Sequence, residues 1–373
     1  CIRDRVSTGG LDLMTWRSFA RLSGKIPRIA IVGGYCFAGN AAIAGCADII
    51  IATKEASMGM GGPAMIEGGG LGSFHPKEIG PATTLTKNGV IDVLVENEEE
   101  AVKIAKKYLS YFQGRTPKWE EQQQRKLYSI LPEDRRYAYD VTKIIEVIAD
   151  KDSVLELRKE FAQNMITSLI RIEGKPMGLI ANSTRTLGGA IDSNAADKAA
   201  RFLQLCNAFG LAVISLCDTP GFMVGPDHEQ QGLIRHSSRL FIAAASLEVP
   251  MITIVLRKAY GLGAMAMAGG SFHASFLTLS WQSGEFGAMG LEGAVKLGFK
   301  KELEATKNKQ EYEILYEQLV AQEYEKGKAI NAAETLEFDE VIDPVETRKR
   351  IATALDCHPQ NNTPSRSRFI DSW

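Results

Sequence analysis

The feature that most constrains this chain is that it carries nearly the same segment twice. Ile26-Pro27 leads into the apolar run Ile29-Ala30-Ile31-Val32, then a glycine turn through Gly33-Gly34 to Ala38-Gly39-Asn40, then small residues to Ala47. Far downstream, Val249-Pro250 leads into Ile252-Thr253-Ile254-Val255, then Tyr260-Gly261-Leu262-Gly263-Ala264, then small residues to Gly270. Each copy goes on to a glycine cluster, Gly59-Met60-Gly61-Gly62-Pro63 in one and Gly287-Ala288-Met289-Gly290 in the other. Pro27 and Pro250 stand 223 positions apart and Gly59 and Gly287 stand 228 apart. That period is too long for a solenoid and fits two copies of one domain. The repeated unit reads as a buried strand, a glycine turn and the start of a small-residue helix.

Composition agrees. A chain of 373 residues suggests two to three domains, and 45% hydrophobic with 24% charged residues is ordinary globular α/β material. A net charge of -2 with no basic run argues against nucleic-acid or membrane-surface binding. The six cysteines, at 1, 36, 46, 206, 217 and 357, contain no CxxC pair and read as reduced core thiols of a cytoplasmic protein. Ile29 to Ala47 is uncharged for 19 residues, close to a bilayer span. Its glycines, Asn40 and the switch from strand-like to helix-like residues instead indicate a buried strand followed by a buried helix start, so no membrane segment is expected. Asn182-Ser183-Thr184 and Asn361-Asn362-Thr363 match the glycosylation pattern by chance on this reading. The opening Cys1-Ile2-Arg3-Asp4-Arg5 leads to a Gly9-Gly10 turn, and the chain is expected to be a fragment whose first domain has lost its beginning.

Along the chain, helices are predicted at Thr15 to Ser23, Glu98 to Phe112, Val141 to Ile148 and Ala195 to Phe209. A long charged helix is predicted over Lys300 to Lys328. Gly114-Arg115-Thr116-Pro117 and the polar Lys118 to Arg136 read as a linker, and Ser153-Val154-Leu155-Glu156 as a capping box opening a helix. Strands are predicted at Met165 to Ile172, Met177 to Ala181 and Ala212 to Cys217, and a short C-terminal element at Phe338 to Pro344. Strands alternating with helices imply parallel sheets with helical crossovers. From Pro359 on, the composition is that of a mobile tail.

The chemistry centres on the two turns. N–H groups at a helix start have no intrahelical partner, the dipole adds partial positive charge, and small residues let a ligand approach. Gly39 and Asn40 in one copy, and Gly263 and Ala264 in the other, could each hold an oxyanion. The competing explanation is that these glycines only permit tight helix–sheet packing. No GxSxG elbow, P-loop or GxGxxG is present, and the five histidines (75, 228, 236, 273, 358) show no metal spacing. His236 could face a site or lie on a helix surface, and Asp218 could face a ligand or cap the next turn. Backbone dipoles without an evident side-chain base suit a reaction in which one substrate brings its own base.

Asp218-Thr219-Pro220-Gly221-Phe222, Gly232-Leu233-Ile234-Arg235-His236 and Arg257-Lys258-Ala259-Tyr260-Gly261 closely resemble the carboxyltransferase subunits of biotin-dependent acyl-CoA carboxylases. Gly189-Ala190-Ile191-Asp192, Ala200-Arg201-Phe202 and Glu285 to Gly290 match in the same order, and Ala38-Gly39-Asn40 with the Gly59 to Gly72 stretch resembles the crotonase-type oxyanion turn and its glycine-rich loop. The resemblance runs from about Gly9 to Leu355. It implies an α/β fold of two tandem crotonase-like domains with parallel sheets and helical crossovers, the first incomplete. On that basis, 1–114 would be the C-terminal part of the N-terminal carboxyltransferase domain, 115–357 the C-terminal carboxyltransferase domain, and 358–373 a mobile tail.

It also implies that carboxybiotin, on a partner carrier protein, gives its carboxyl group to the α-carbon of a short-chain acyl-CoA such as acetyl- or propionyl-CoA. The biotin nitrogen left behind can take the α-proton. Gly39 and Asn40 would face the acyl-CoA, and Gly263 and Ala264 the biotin, with Ala38, Gly61, Gly62, Tyr260, Gly261, Leu262 and Ala266 lining the substrates. With no Met-Lys-Met in the chain, biotin is expected on a partner; a biotin carboxylase and a biotin carboxyl carrier subunit are the implied partners, and a dimer-built homo-oligomer, a hexamer, the implied assembly. The chain departs from the family pattern in having one more residue in the Tyr260 to Ala264 turn, so that Gly261 and Leu262 are alternative donors. It also departs at Asn40, where a second glycine is usual, and at Ala266, where Asp is frequent. A decarboxylase-type carboxyltransferase acting on a malonyl-type CoA ester and a non-catalytic scaffold subunit are the other readings.

Overall fold

The structure, a computed structural model, describes residues 12–358 and 369–373. The expectations for Cys1 to Arg5, the Gly9-Gly10 turn, Asn361-Asn362-Thr363 and most of the tail lie outside the described residues. The chain forms two compact units, one of the described residues up to Lys106 with 369–372, the other from Lys107 with Trp373. The division falls inside the helix Glu98–Ser110. Gly114 to Thr116, read as linker, is bonded into the second unit: Arg171 Nη1 donates to Gly114 O at 3.0 Å and Thr116 N to Gly174 O at 3.0 Å.

In the first unit β1 (Ile29–Val32), β3 (Ile49–Thr53) and β5 (Val93–Val95) form a parallel sheet in the order β1-β3-β5. A parallel pair joins β2 (Tyr35–Phe37) to β4 (Ser57–Gly59). All five residues of β3 are buried, as its β-branched run requires of a strand covered on both faces. Buried Asp48 anchors the start of this sheet by accepting from Arg28 N at 2.8 Å and pairing with Arg28 Nη2 at 2.6 Å.

The second unit holds β6 (Leu155–Leu157), β7 (Met165–Ile172), β8 (Lys175–Asn182), β9 (Ala212–Thr219), β10 (Met251–Tyr260), β11 (Leu277–Trp281), β12 (Glu285–Gly287) and β13 (Glu340–Ile342). Its sheet runs β13-β11-β10-β9-β8-β7-β6, with β12 on β10. From β8 to β13 the pairs are parallel, while β7 is antiparallel to β8 and β6 to β7. Only Glu173 and Gly174, at φ 51° and 75°, separate β7 from β8, a turn far too short for a crossover helix. The Ser153 to Glu156 capping box is not a helix start. Leu155 and Leu157 are buried on alternate positions of β6, and Ser153 Oγ accepts from Arg171 N at 3.1 Å instead. The long helix over Lys300 to Lys328 is interrupted, ending at Glu304 and restarting at Lys309 where Asn308 accepts from Glu311 N.

The duplication is visible in the pairing. In one unit β1 pairs β3 and the following β2 pairs β4; in the other, the first half of β10 pairs β11 and its last three residues pair β12. A seven-residue helix follows each, Gly39–Gly45 and Gly261–Met267.

One buried base gives this fold a pH signature. Lys198, on the helix Ser193–Ala208, is 2% exposed and donates to Phe161 O at 2.8 Å. Burial lowers its pKa from 10.5 to about 7, against the pull of Glu156. Between those values the unfolded chain holds a proton that the folded chain has released, so this group makes stability rise as pH increases from about 7 towards 10.5. In Lys198→Met that rise is expected to flatten, as chemical denaturation at pH 7, 8 and 9 would show; an unchanged slope would refute it.

Candidate active site

The turn at the end of β10 is held by buried charge. Between Val255 and Ala259 the register of β10 against β9 shifts, and Asp218 of β9, with no exposed surface, sits beside the irregularity. Its Oδ2 accepts from Tyr139 OH at 2.8 Å and Arg257 Nε at 3.2 Å, and its Oδ1 from Lys258 N at 3.2 Å. Lys258 Nζ stands 3.7 Å away. Asp218 therefore neither faces a ligand nor caps a helix; it is the hub of a buried ion network, the arrangement a charge taken out of water requires.

Beyond this hub, Tyr260 caps the helix Gly261–Met267. Gly261 has φ +55°, and a Cβ there would come within 2.7 Å of Ala288 O. A Cβ on Gly263 would reach Gly221 Cα and carbonyl carbon at 2.7 Å, so packing alone requires glycine at 263. The first N–H groups of this helix have no intrahelical partner. Beside them lies a cavity of about 590 Å³ walled by Gly261, Met265, Phe272, Phe286 and Ala288, with His273, Lys326 and Glu337 as its titratable groups. The site is thus less bare of side-chain acids and bases than its sequence suggested. Of the residues singled out from the sequence, Gly261 lines the cavity; Gly263, Ala264 and Ala266 are buried behind it, Ala266 with no exposed surface, and Leu262 is 63% exposed.

In the first unit, Ala38 follows β2 with φ +54°, and its N–H donates to Gly59 O at 2.9 Å. Gly39 lies under Trp16, whose Nε1 donates to Gly39 O at 3.2 Å and whose ring would be 2.7 Å from a Cβ. Asn40 is exposed. Gly61 and Gly62 precede the helix Pro63–Gly68, Gly62 against the Phe37 ring and Gly61 against Met65. Strand register decides how the two turns correspond. Phe37 pairs with Gly59 and Tyr260 with Gly287, so Ala38 matches Gly261, both at positive φ, and Gly39 matches Leu262. Matching glycine to glycine, as the sequence invites, is one residue out of step: Gly263 corresponds to Asn40.

His236 is engaged at Asp197, with Nδ1 2.6 Å from Oδ2, and Arg239 Nη1 meets the other oxygen at 2.7 Å. Two residues escaped the sequence reading. Glu285, 1% exposed, accepts from Tyr260 OH at 2.6 Å, and Arg135 Nη1 lies 3.4 Å from the same Oε2. Arg135 also bonds Glu292 at 2.9 Å and covers the Tyr324 ring at 4.8 Å. Glu285 opens the Glu285 to Gly290 segment that carries the family resemblance, with no role of its own assigned there, and Arg135 lies in the Lys118 to Arg136 stretch that reads as linker. Among the described residues no group of three or more His, Cys, Asp or Glu could hold a metal ion, and no helix is long and apolar enough to cross a membrane.

Residues 14–369 match the carboxyl transferase domain family. The chain belongs to that family. Among curated relatives of this carboxyl transferase domain, the methylmalonyl-CoA carboxyltransferase 12S subunit of Propionibacterium freudenreichii subsp. shermanii is 35% identical over 352 residues, covering 91% of the chain and 66% of the relative. Among solved structures, a single-chain, multi-domain long-chain acyl-CoA carboxylase superposes with TM-score 0.89 at 52% identity, over 94% of this chain and 34% of that one. The transcarboxylase 12S hexamer structure with methylmalonyl-CoA bound gives TM-score 0.83 at 31% identity, over 95% and 69%. The carboxyl transferase domain thus spans about two thirds of the 12S relative and one third of the single-chain carboxylase. Its α/β architecture is the crotonase-like fold of the 12S structures.

Proposed function

We propose that the protein transfers a carboxyl group from carboxybiotin, delivered on a partner carrier protein, to the α-carbon of an acyl-CoA. The observation that carries this is the strand–turn–helix duplicated in matching register, one in each unit of a chain of this family. In the first unit, the free N–H groups of Gly39 and Asn40 suit a thioester carbonyl that gains negative charge as the α-carbon loses its proton. Ala38, Gly61 and Gly62 shape the approach. In the second, Leu262 and Gly263 stand where Gly39 and Asn40 stand in the first, ahead of Ala264 in the helix, and their N–H groups suit a urea carbonyl. Polar donors beside the apolar walls of Met265, Phe272 and Phe286 fit the bicyclic ring of biotin. Bound there, that group supplies the carboxyl to be moved; this chain's part is to hold the two carbonyl oxygens and to exclude water.

The reading extends to a biotin carboxylase and a biotin carboxyl carrier as partners, a homo-oligomer of the hexameric 12S kind, and the cytoplasm, where thiols such as buried Cys206 and Cys217 stay unpaired. The two units would be the two carboxyltransferase halves, with the boundary between residues 106 and 115.

The test is the half-reaction in reverse, malonyl-CoA plus free biotin giving acetyl-CoA and carboxybiotin, followed by chromatography and repeated with methylmalonyl-CoA and longer 2-carboxyacyl-CoA esters. Biotin-dependent formation of the decarboxylated ester is expected with at least one of them, and the preferred ester identifies the acyl group. Absence of biotin-dependent conversion across the panel would leave the scaffold reading in its place.

A further inference from the structure

Glu285 is placed to act on the second turn. It opens β12 with its side chain 1% exposed, and while Oε2 receives Tyr260 OH and faces Arg135, Oε1 is buried without a hydrogen-bond partner. A buried carboxylate with an idle oxygen costs stability, so its presence calls for an explanation other than packing. Burial pushes its carboxyl pKa up, and the Tyr260 bond and Arg135 oppose that shift.

Its one short bond goes to the residue that sets the turn. Tyr260 is at once the last residue of β10 and the cap of the helix Gly261–Met267, and its side chain is buried. The two strands joined by the Glu285–Tyr260 bond end in the two sides of the cavity, Gly261 from one and Gly287-Ala288 from the other. A Cβ on Gly261 would lie 2.7 Å from Ala288 O, so the turn that carries the Leu262 and Gly263 N–H groups is packed directly against the end of β12, and its direction is set where Tyr260 pairs with Gly287. Arg135 ties the same carboxylate to Glu292 and to Tyr324, both outside the cavity lining. We infer that Glu285 is a positioning residue for carboxyl transfer, which by holding the Tyr260 hydroxyl fixes the turn that carries the Leu262 and Gly263 N–H groups, beside the cavity that Gly261 lines.

The inference rests on the function proposed above, and one set of variants separates the two. In the biotin half-reaction, Tyr260→Phe and Glu285→Ala should each lower kcat/KM for free biotin about tenfold, a modest misplacement of reacting groups. Glu285→Gln, which keeps an acceptor oxygen for the hydroxyl, should stay within about threefold of wild type, and the Tyr260→Phe/Glu285→Ala double variant should be no worse than its poorer parent. Acyl-CoA affinity, measured by calorimetry, should not move. A biotin-competent wild type whose Tyr260→Phe variant shows unchanged biotin kinetics would overturn the inference alone. So would a parallel loss of acyl-CoA binding and biotin turnover, the mark of general unfolding. A wild type without any biotin-dependent turnover would defeat the functional reading, and the inference with it.

Discussion

Replacing Gly261 by valine is expected to lower biotin-dependent carboxyl transfer about 10²-fold or more, the scale of losing one donor from a pair that holds an oxyanion. Gly261 sits at φ +55°, a region that a β-branched residue enters only under strain, and its Cβ would fall 2.7 Å from Ala288 O. The turn must open, and the N–H groups that follow must point elsewhere. Ala38 provides an internal comparison: it holds φ +54° at the matching place in the first unit, so positive φ by itself is tolerable for a small side chain. The contact with Ala288 makes the valine worse. Binding of acyl-CoA should change less than about twofold, since one turn is altered and the other is not. Gly263→Pro should give a similar loss, because it removes an N–H and drives a ring into the Gly221 backbone. Separate titrations with acyl-CoA and free biotin decide the assignment. Collapse of acyl-CoA affinity with biotin affinity preserved would show that the two turns serve the opposite substrates.

The second large effect is on stability. Asp218→Ala should destabilise the second unit by about 3–5 kcal/mol, the usual result of removing one member of a buried ion pair and leaving the other uncompensated. Arg257 and Asp218 have side chains only 4% and 0% exposed, so the guanidinium would lose its nearest counter-charge with little water to replace it. Tyr139 would lose its acceptor as well. Urea denaturation gives the value directly, and a loss below about 1 kcal/mol would show that the network is dispensable. Asp218→Asn keeps the shape and an acceptor for Tyr139, and should fall between the alanine variant and wild type.

Both effects depend on contacts of unequal legibility. The strand Met165–Ile172 is read from its apolar β-branched run with its observed ends, and the helix at Val141–Ile148 follows from spacing alone. The duplication is also a property of the sequence, and with it the α/β class and the two turns. These depend on neighbours within a few residues, where side-chain period and glycine content act on the backbone directly. The antiparallel β7–β8 hairpin departs from the parallel crossovers expected, because β8 begins at Lys175 and not at Met177, leaving only Glu173 and Gly174 for the turn.

What the tertiary structure alone decided is how distant segments meet. Pairing of Phe37 with Gly59 and of Tyr260 with Gly287 aligned Gly39 with Leu262, because backbone register is set by hydrogen bonding between strands and is blind to residue type. Gly263 owes its identity to Gly221, a neighbour 42 positions away, and Met265 rather than Ala266 meets the cavity because the helix is fixed in rotation by what lies beneath it. Asp218 became a hub, neither ligand nor cap, once Tyr139 and Arg257 closed on it. Arg135 reaches Glu285 across 150 residues of sequence. A charge is buried only where partners from several elements converge, so its place follows from the assembled fold and cannot be read from its own neighbourhood.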